Sequence, residues 1–349
     1  MPIDFTNLSP WANMRRCNLS DNGTVNAYFG DSTFKDDGSN GQVMVEIPKF
    51  YYQKVPTETG YTFGISDQPE DGFTVHPAFF RDRNGDGVAE PVEFRYFSAY
   101  EGILHDGTNY ITGNTTADNN ASVTSSWKLC SVSGYKPYAG LTIGNFRTIA
   151  QRRGNGWGIL DFNLLSAVQM LYLVEYGHFD SQTKIGKGFT ATGNTASIIT
   201  GKTSTLGNIT GNESNLGTDG LHAMSYRGME NLYGNLFKWI DGLVTEANTF
   251  KIGNIGFNDA GIGYSFYSVT FANVSGYCSD IWDQSEFGFI GKTFTGSSTT
   301  KMYDWASMYA GGIFMFGGFY ASNTKSGSFF LDTSTSNYSN ALISSRLSF

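Results

Sequence analysis

The sequence predicts an α+β fold that is rich in short strands, carries long loops and encloses one buried helix. Three observations lead there. Aromatic side chains make up 15 % of the 349 residues and glycines number 43, while only 15 % of residues are charged. That aromatic content excludes an intrinsically disordered chain, and a helical composition would favour Ala, Leu, Glu and Lys instead. Second, β-branched and aromatic runs recur between clusters of Gly, Asn, Asp and Ser, the punctuation of short strands. Third, sustained helical periodicity stands out in one segment.

Residues 1–40 are polar, with turn signals at Asp21-Asn22-Gly23, Asp36-Asp37-Gly38 and Ser39-Asn40-Gly41. They are expected to form an N-terminal arm or attachment segment ahead of a domain over 41–349. From Gln42 a β-rich run, Val43 to Tyr52, begins, and Pro48 suggests an edge or a bulge because proline has no N–H for a ladder. Further strands are expected at Phe73–Phe80 and Val92–Tyr100. Loop insertions are expected at about 105–126 and 180–220, where Gly, Asn, Thr and Ser dominate; a loop as long as the second is either functional or mobile. The helix covers about 161–176. Asp161 is a suitable N-cap, and Phe162, Leu164, Leu165, Val168, Leu171, Tyr172 and Val174 recur at helical spacing. Gly177 then stands where a helix-terminating glycine belongs. Apolar residues occupy more than half its circumference, so it is expected in the core. After Tyr226 aromatics alternate with Gly and Ser, giving short strands and tight loops without a solenoid-length repeat.

The net charge of −8 and a pI near 5.0 speak against a nucleic-acid partner. The densest basic spots are the pairs Arg15–Arg16 and Arg152–Arg153. Cys17, Cys130 and Cys278 form neither a CxxC pair nor an even framework, which speaks against a disulfide scaffold or a structural zinc site. Residues 1–16 lack the order of a secretory signal, and no run approaches the ~18–20 apolar residues of a membrane span. Synthesis in the cytoplasm is expected, with no membrane insertion and any exterior role reached by assembly into a particle or by lysis.

Three stretches carry a family resemblance. Tyr226-Arg-Gly-Met-Glu-Asn-Leu-Tyr-Gly-Asn-Leu-Phe-Lys-Trp-Ile-Asp-Gly242 resembles the G-x-x-N-L-x-G-N-V-W-E-W signature of the formylglycine-generating-enzyme branch of C-type-lectin-like folds. Gly317-Gly318-Phe319-Tyr320, followed by Ile343-Ser344-Ser345-Arg346-Leu347, is similar to that branch's G-G-S-W … I-G-F-R-L ending. Val43-Met44-Val45-Glu46-Ile47-Pro48 is similar to its opening M-V-x-I-P strand. The order and spacing span about 42–349, and the resemblance implies a C-type-lectin-like domain with Trp239 in its core. The enzymes of that branch use a cysteine pair or a histidine-based iron site. Here the stretch 306–349 has neither Cys nor His, and His76, His105, His178 and His222 are scattered. The resemblance therefore points to the branch's non-enzymatic phage proteins, similar to the major tropism determinant and to the variable proteins of diversity-generating retroelements. It implies a homotrimer in the virion, a bacterial surface receptor (protein or glycan) and contacts with other virion proteins. It also implies a variable segment at about 300–349, set among framework positions Gly318, Gly327, Phe329, Ile343 and Arg346.

Other motifs were weighed beside it. Asp82-Arg-Asn84-Gly-Asp86-Gly-Val88-Ala-Glu-Pro-Val-Glu93 matches the D-x-[DN]-x-[DN]-G-x5-E calcium loop. Side chains of Asp82, Asn84, Asp86 and Glu93 with the Val88 carbonyl would supply the oxygens; an ion-free acidic turn explains the same residues. Gly201-Lys202-Thr203 lacks the glycine-rich turn of a phosphate loop. The carboxylates Asp280, Asp283 and Glu286 are a weak glycosidase signal, since neighbouring acids in loops are usually just solvated.

The expected function is host attachment through a ligand-binding face made by the C-terminal segment. Its residues are Tyr303, Trp305, Phe319, Tyr320, Asn323, Thr324, Phe330 and Asp332. Rings give contact area at low entropy cost, and Asn, Thr and Asp give adaptable hydrogen bonds. Trp305 and Phe330 are equally well explained as core. The competing classes are a surface-glycan hydrolase or divergent formylglycine-type oxidase, and a structural decoration or baseplate protein.

Overall fold

In the computed structural model, residues 3–111, 123–191, 193–213, 217–247, 249–267, 273–284, 288–300 and 302–349 are described. The run beginning at Gln42 forms the strand Gln42–Pro48, buried at its first six positions. It runs antiparallel between Arg15–Leu19 and Phe94–Ser98. Val25–Tyr28 closes this six-stranded sheet on one side, and Leu347–Ser348 and Gly158–Ile159 close it on the other. Pro48 thus ends a central strand, where its missing N–H spares the interior of the ladder. Val43, Val45 and Ile47 pack into one hydrophobic cluster and Met44 into another, so the strand is buried on both faces. The run is apolar at most positions, as such a strand requires, and its one charged residue, Glu46, is 2 % exposed and accepts from the Tyr96 hydroxyl.

Residues 1–40, expected as an arm, are instead woven into the domain. Trp11 is 2 % exposed and its Nε1 donates to the Leu171 carbonyl at 3.1 Å. Arg15–Leu19 and Val25–Tyr28 are strands of the sheet. The misleading signal is Asp21-Asn22-Gly23, which is the turn of this hairpin rather than part of a free segment.

The second sheet is organised on Phe237–Glu246, buried at eight consecutive positions from Lys238 to Thr245. Its order is Ser265–Tyr267, Thr249–Ile252, Phe237–Glu246, Ile313–Phe316, Leu331–Ser334, Trp305–Met308 and Val274–Tyr277, and Ile343–Ser344 pairs in parallel with the start of Phe237–Glu246. Helix α2, Phe162–Tyr176, forms where the periodicity places it. The Asp161 carboxylate accepts from the Leu164 amide at 2.9 Å, and Gly177 takes φ 63° to end the helix on the Leu173 carbonyl. A preceding helix, α1 (Ile143–Gln151), was not singled out from the sequence. Thr142 caps it, and Ile143, Phe146, Ile149 and Ala150 form its buried stripe. Its nine residues lie in Gly- and Pro-rich surroundings that mask so short a period. Trp239 packs in the cluster that holds α1, with its Nε1 donating to the Leu141 carbonyl at 3.2 Å. No helix among the described residues is long and apolar enough to cross a membrane.

The 180–220 segment is held by polar contacts together with the buried Ile185 and Phe189. It includes a short helix, α3 (Ser181–Lys184). The buried Glu230 carboxylate accepts from the Gly201 amide and from both the amide and hydroxyl of Thr203, at 2.6–2.8 Å. Of this loop residues 192 and 214–216, and of the 105–126 loop residues 112–122, lie outside the described residues.

Lys238, on the strand Phe237–Glu246, forms a buried ion pair with Glu101. Glu101 and Lys238 are 1 % and 0 % exposed and 3.2 Å apart. The same carboxylate accepts from the Nδ2 groups of Asn231 and Asn235, at 3.2 and 2.5 Å. Lys238 returns a bond to the Gly234 carbonyl at 2.5 Å. Burial lowers the Lys238 ammonium to about 8 while Glu101 opposes that shift.

The integration of the N-terminus has a measurable consequence. Trp11→Ala is expected to cost about 3–5 kcal/mol, read as a lower urea midpoint. A detachable arm would leave the midpoint unchanged.

A candidate binding cleft on the C-terminal face

Strands Ile313–Phe316 and Leu331–Ser334 pair antiparallel with Phe316 opposite Leu331, so residues 317–330 form the loop that joins them. The loop opens on two glycines, Gly317 and Gly318, at φ 85° and 72°. A Cβ on Gly318 would lie 2.6 Å from Ser326 Oγ, so only glycine suits both the backbone and the space.

The main chain of this loop is fastened to the scaffold. The Gly234 amide donates to Gly317 O, the Tyr320 amide to Asn235 O and the Asn323 amide to Thr190 O, at 2.9, 2.9 and 2.7 Å. Gln182 donates to the carbonyls of Asn323 and Ser326 at 2.8 and 2.5 Å. Asn194 donates to Tyr320 O at 3.3 Å. These bonds engage backbone atoms of the loop, so they hold its path whatever side chains project from it.

Those side chains border an open cleft of about 450 Å³. Six of the eight residues expected from the sequence line it: Trp305, Phe319, Asn323, Thr324, Phe330 and Asp332. Tyr303 lines a neighbouring cavity that shares Thr324, and Tyr320 meets the edge of Phe319 at 5.2 Å without lining either. Phe330 is 4 % exposed and packs on Phe237 at 5.6 Å, so it is largely a core ring whose edge reaches the wall. Trp305 is half-buried; Tyr277 packs edge-on at 5.2 Å and the Lys325 ammonium lies 4.3 Å from its ring centroid.

Four lining residues are not among those expected from the sequence: Phe237, Ala321, Ser322 and Lys325. Phe237 arrives from the strand that carries the signature motif and stacks with Phe319 at 5.0 Å. Lys325 follows the expected Asn323-Thr324 pair and supplies a cation. Burial pushes the Asp332 carboxyl up to about 6, although the Thr333 amide donates to it at 2.8 Å. The cleft therefore offers rings, hydroxyl and amide groups, one cation and one carboxyl that changes charge in mildly acidic solution.

The 82–93 loop is a turn between the paired strands Phe80–Arg81 and Glu90–Pro91, without the helices that flank an EF-hand loop. Asp82 accepts from the amides of Gly85, Asp86 and Gly87 at 2.6, 3.2 and 2.8 Å. Asn84 bonds Asp86, Val88 is exposed, and Glu93 is drawn to Lys49 at 2.5 Å. Among the described residues no three carboxylate, His or Cys side chains gather as a metal site would need. Asp82 thus caps the turn, and Glu93 stands in an ion pair with Lys49.

The remaining sequence signals stay dispersed. Cys17, Cys130 and Cys278 are all buried thiols. Lys202 pairs with Glu213 at 3.3 Å. Asp280 and Asp283 both lie near the Tyr61 hydroxyl, at 3.4 and 2.9 Å, and Glu286 lies outside the described residues.

No protein-family model matches the chain, and no curated protein matches it. Among solved structures it is similar to a Major Tropism Determinant U1 variant, at 15 % identity and a TM-score of 0.33, over 96 % of this chain and 71 % of that one. It is also similar to PvdO from Pseudomonas aeruginosa, at 10 % identity and a TM-score of 0.31, over 90 % of this chain and 96 % of that one.

Two outcomes follow for these sites. The Asp332 carboxyl sits above the ordinary value of about 3.9, so its protonated form is the one folding favours. Its contribution to stability is present below about pH 4 and is lost as pH rises through about 6. Asp332→Asn should therefore gain thermal stability relative to the parent between pH 4 and pH 7; a constant difference in melting temperature would contradict the shift. Asp82→Ala should cost about 1 kcal/mol by loss of a cap, equally with calcium or with chelator. A calcium-dependent melting temperature lost in that variant would show that the loop re-forms round an ion.

Proposed function

We propose that the chain is a non-catalytic receptor-binding protein of a phage particle. It has a C-type-lectin-like fold and recognises a bacterial surface molecule through the cleft of its C-terminal face. The observation that carries this reading is the convergence of Trp305, Phe319, Asn323, Thr324, Phe330 and Asp332 on one open cleft whose loop is anchored by its main chain. Rings and adaptable polar groups on a pre-ordered backbone lower the entropy cost of binding.

The fold part of the reading is supported by where the three motif stretches meet. The Arg346 guanidinium, from the C-terminal motif, donates to the carbonyls of Glu230 and Asn231 in the central motif. It also reaches Ser98 O at 3.0 Å, on the strand paired with the opening motif. The same reading includes a homotrimeric assembly and attachment to other virion proteins.

Binding and stability should separate on substitution. Phe319→Ala and Thr324→Ala are expected to weaken binding to host cells tenfold or more, with stability changed by about 1 kcal/mol or less. Phe330→Ala should instead lose about 3–5 kcal/mol of stability. Full-strength binding by both cleft variants in a whole-cell assay would move recognition away from this face.

A further inference from the structure

Beside the cleft lies a second cavity of about 410 Å³, and Thr324 borders both. Its walls mix hydroxyl and amide groups, among them Gln182 and Thr183 of α3, Asn212, Thr218 and Ser298, with apolar surface from Ile185 and the Tyr303 ring. Asp304 also lines it and is 3 % exposed. Among the described residues its carboxylate has one donor, the Phe329 amide, at 2.8 Å from Oδ2. Oδ1 receives no donor, and no Lys, Arg or His there forms an ion pair with Asp304. The carboxylate is nonetheless accommodated by design of the backbone: a Cβ on Gly327 would run into both of its oxygens.

The other charged groups of the cavity do not neutralise it. Asp180 caps α3, accepting from the Thr183 amide and hydroxyl at 3.0 and 2.5 Å. Lys187 lines the cavity half-buried and forms no ion pair among the described residues. His178 packs on Tyr303 with ring centroids 5.0 Å apart. A buried carboxylate without a cation is costly to ionise. Burial, reinforced by Asp180, holds the Asp304 proton far above the usual carboxylate range.

We propose that this cavity is a subsite for the ammonium group of an amino sugar, with Asp304 as its counter-charge. The inference rests on the receptor-binding reading and specifies the ligand of that face as an amine-bearing glycan. The ammonium supplies the donors that Asp304 lacks, the surrounding hydroxyl and amide groups match sugar hydroxyls, and Tyr303 offers a ring to an apolar sugar face. An ammonium beside Asp304 opposes the upward shift caused by burial, so binding favours the carboxylate and any proton the carboxyl holds leaves to solvent.

The test is titration calorimetry on the full chain with glucosamine oligosaccharides, their N-acetylated counterparts and N-acetyl-lysine methylamide. The amine-bearing sugar should bind at least tenfold tighter than the acetylated one. Its heat at pH 7 should differ between buffers of different ionisation enthalpy, reporting proton release. Asp304→Asn should abolish both the preference and the proton release; the buffer comparison on the parent chain stands even where that variant folds poorly. Equal binding of the acetylated sugar, or no proton release, would overturn the ammonium subsite. Tighter binding of the lysine amide would overturn the glycan assignment. Neither result touches receptor binding itself, which the whole-cell assay of Phe319→Ala and Thr324→Ala decides.

Discussion

The buried carboxylate of Glu101 is the constraint on which the binding face depends. It gathers Asn231, Asn235 and Lys238 into one network with almost no access to water. Removing one partner of a buried ion pair typically costs about 3–5 kcal/mol, because the other charge is left uncompensated. Here the cost would not stay local. Asn231 and Asn235 take the left-handed backbone, at φ 47° and 57°, and Gly234 between them takes φ 77°. Their side-chain bonds to Glu101 hold that conformation in place. Gly234 N and Asn235 O are the atoms from which Gly317 and Tyr320 hang. The path from core charge to ligand loop is therefore two residues long.

That arrangement explains how a loop without regular structure can hold a shaped surface. An irregular loop ordinarily pays ordering entropy when it binds. In this chain the ordering is supplied beforehand by α3, by the 180–220 segment and by the central motif, acting on carbonyls and amides of the loop. The cleft side chains are left to differ in chemistry without disturbing those bonds. Its electrostatics follow from depth: Asp332 sits low enough for desolvation to raise it to about 6, whereas Lys325 lies at the exposed rim over Trp305.

Much of this was legible in the sequence where a local rule governs. The α2 cap, its periodicity and its terminal glycine are consecutive signals that agree, and the helix forms within a residue of them. Gln42–Pro48 was legible as a strand, but its central place was not, since pairing with Arg15–Leu19 and Phe94–Ser98 depends on partners far along the chain. The same reason hid the N-terminal hairpin: Arg16, Cys17 and Asn18 read as polar, yet each is fully buried, with Arg16 bonded to Gly228 O at 2.8 Å. For the site, residue types near the C-terminus pointed to the loop. Phe237, some eighty positions upstream, entered the cleft only through strand pairing. In the acidic 82–93 pattern the sequence shows the turn, while the three backbone amides that Asp82 accepts appear only in the folded loop.

The division between held backbone and projecting side chains also sets which changes the C-terminal segment can absorb. Gly318 and Gly327 have no room for a Cβ, Phe329 and Ile343 are 1 % exposed, and Arg346 bonds two carbonyls of the central motif and one of the strand paired with the opening motif. Substitution at any of these alters packing or leaves buried polar groups without partners. Phe319, Ala321, Ser322 and Thr324 lie between Gly318 and Gly327 and line the cleft. Ser322 is the exception among these four, since its hydroxyl accepts from the Phe319 amide at 2.9 Å and so helps to shape the turn. Asn323 is a second, because its φ of 51° is one that asparagine and glycine adopt more readily than other residues. Under the proposed receptor-binding reading, recognition is rewritten at Phe319, Ala321 and Thr324 with the main-chain bonds of the loop intact, while Ser322 and Asn323 couple the cleft surface to loop conformation.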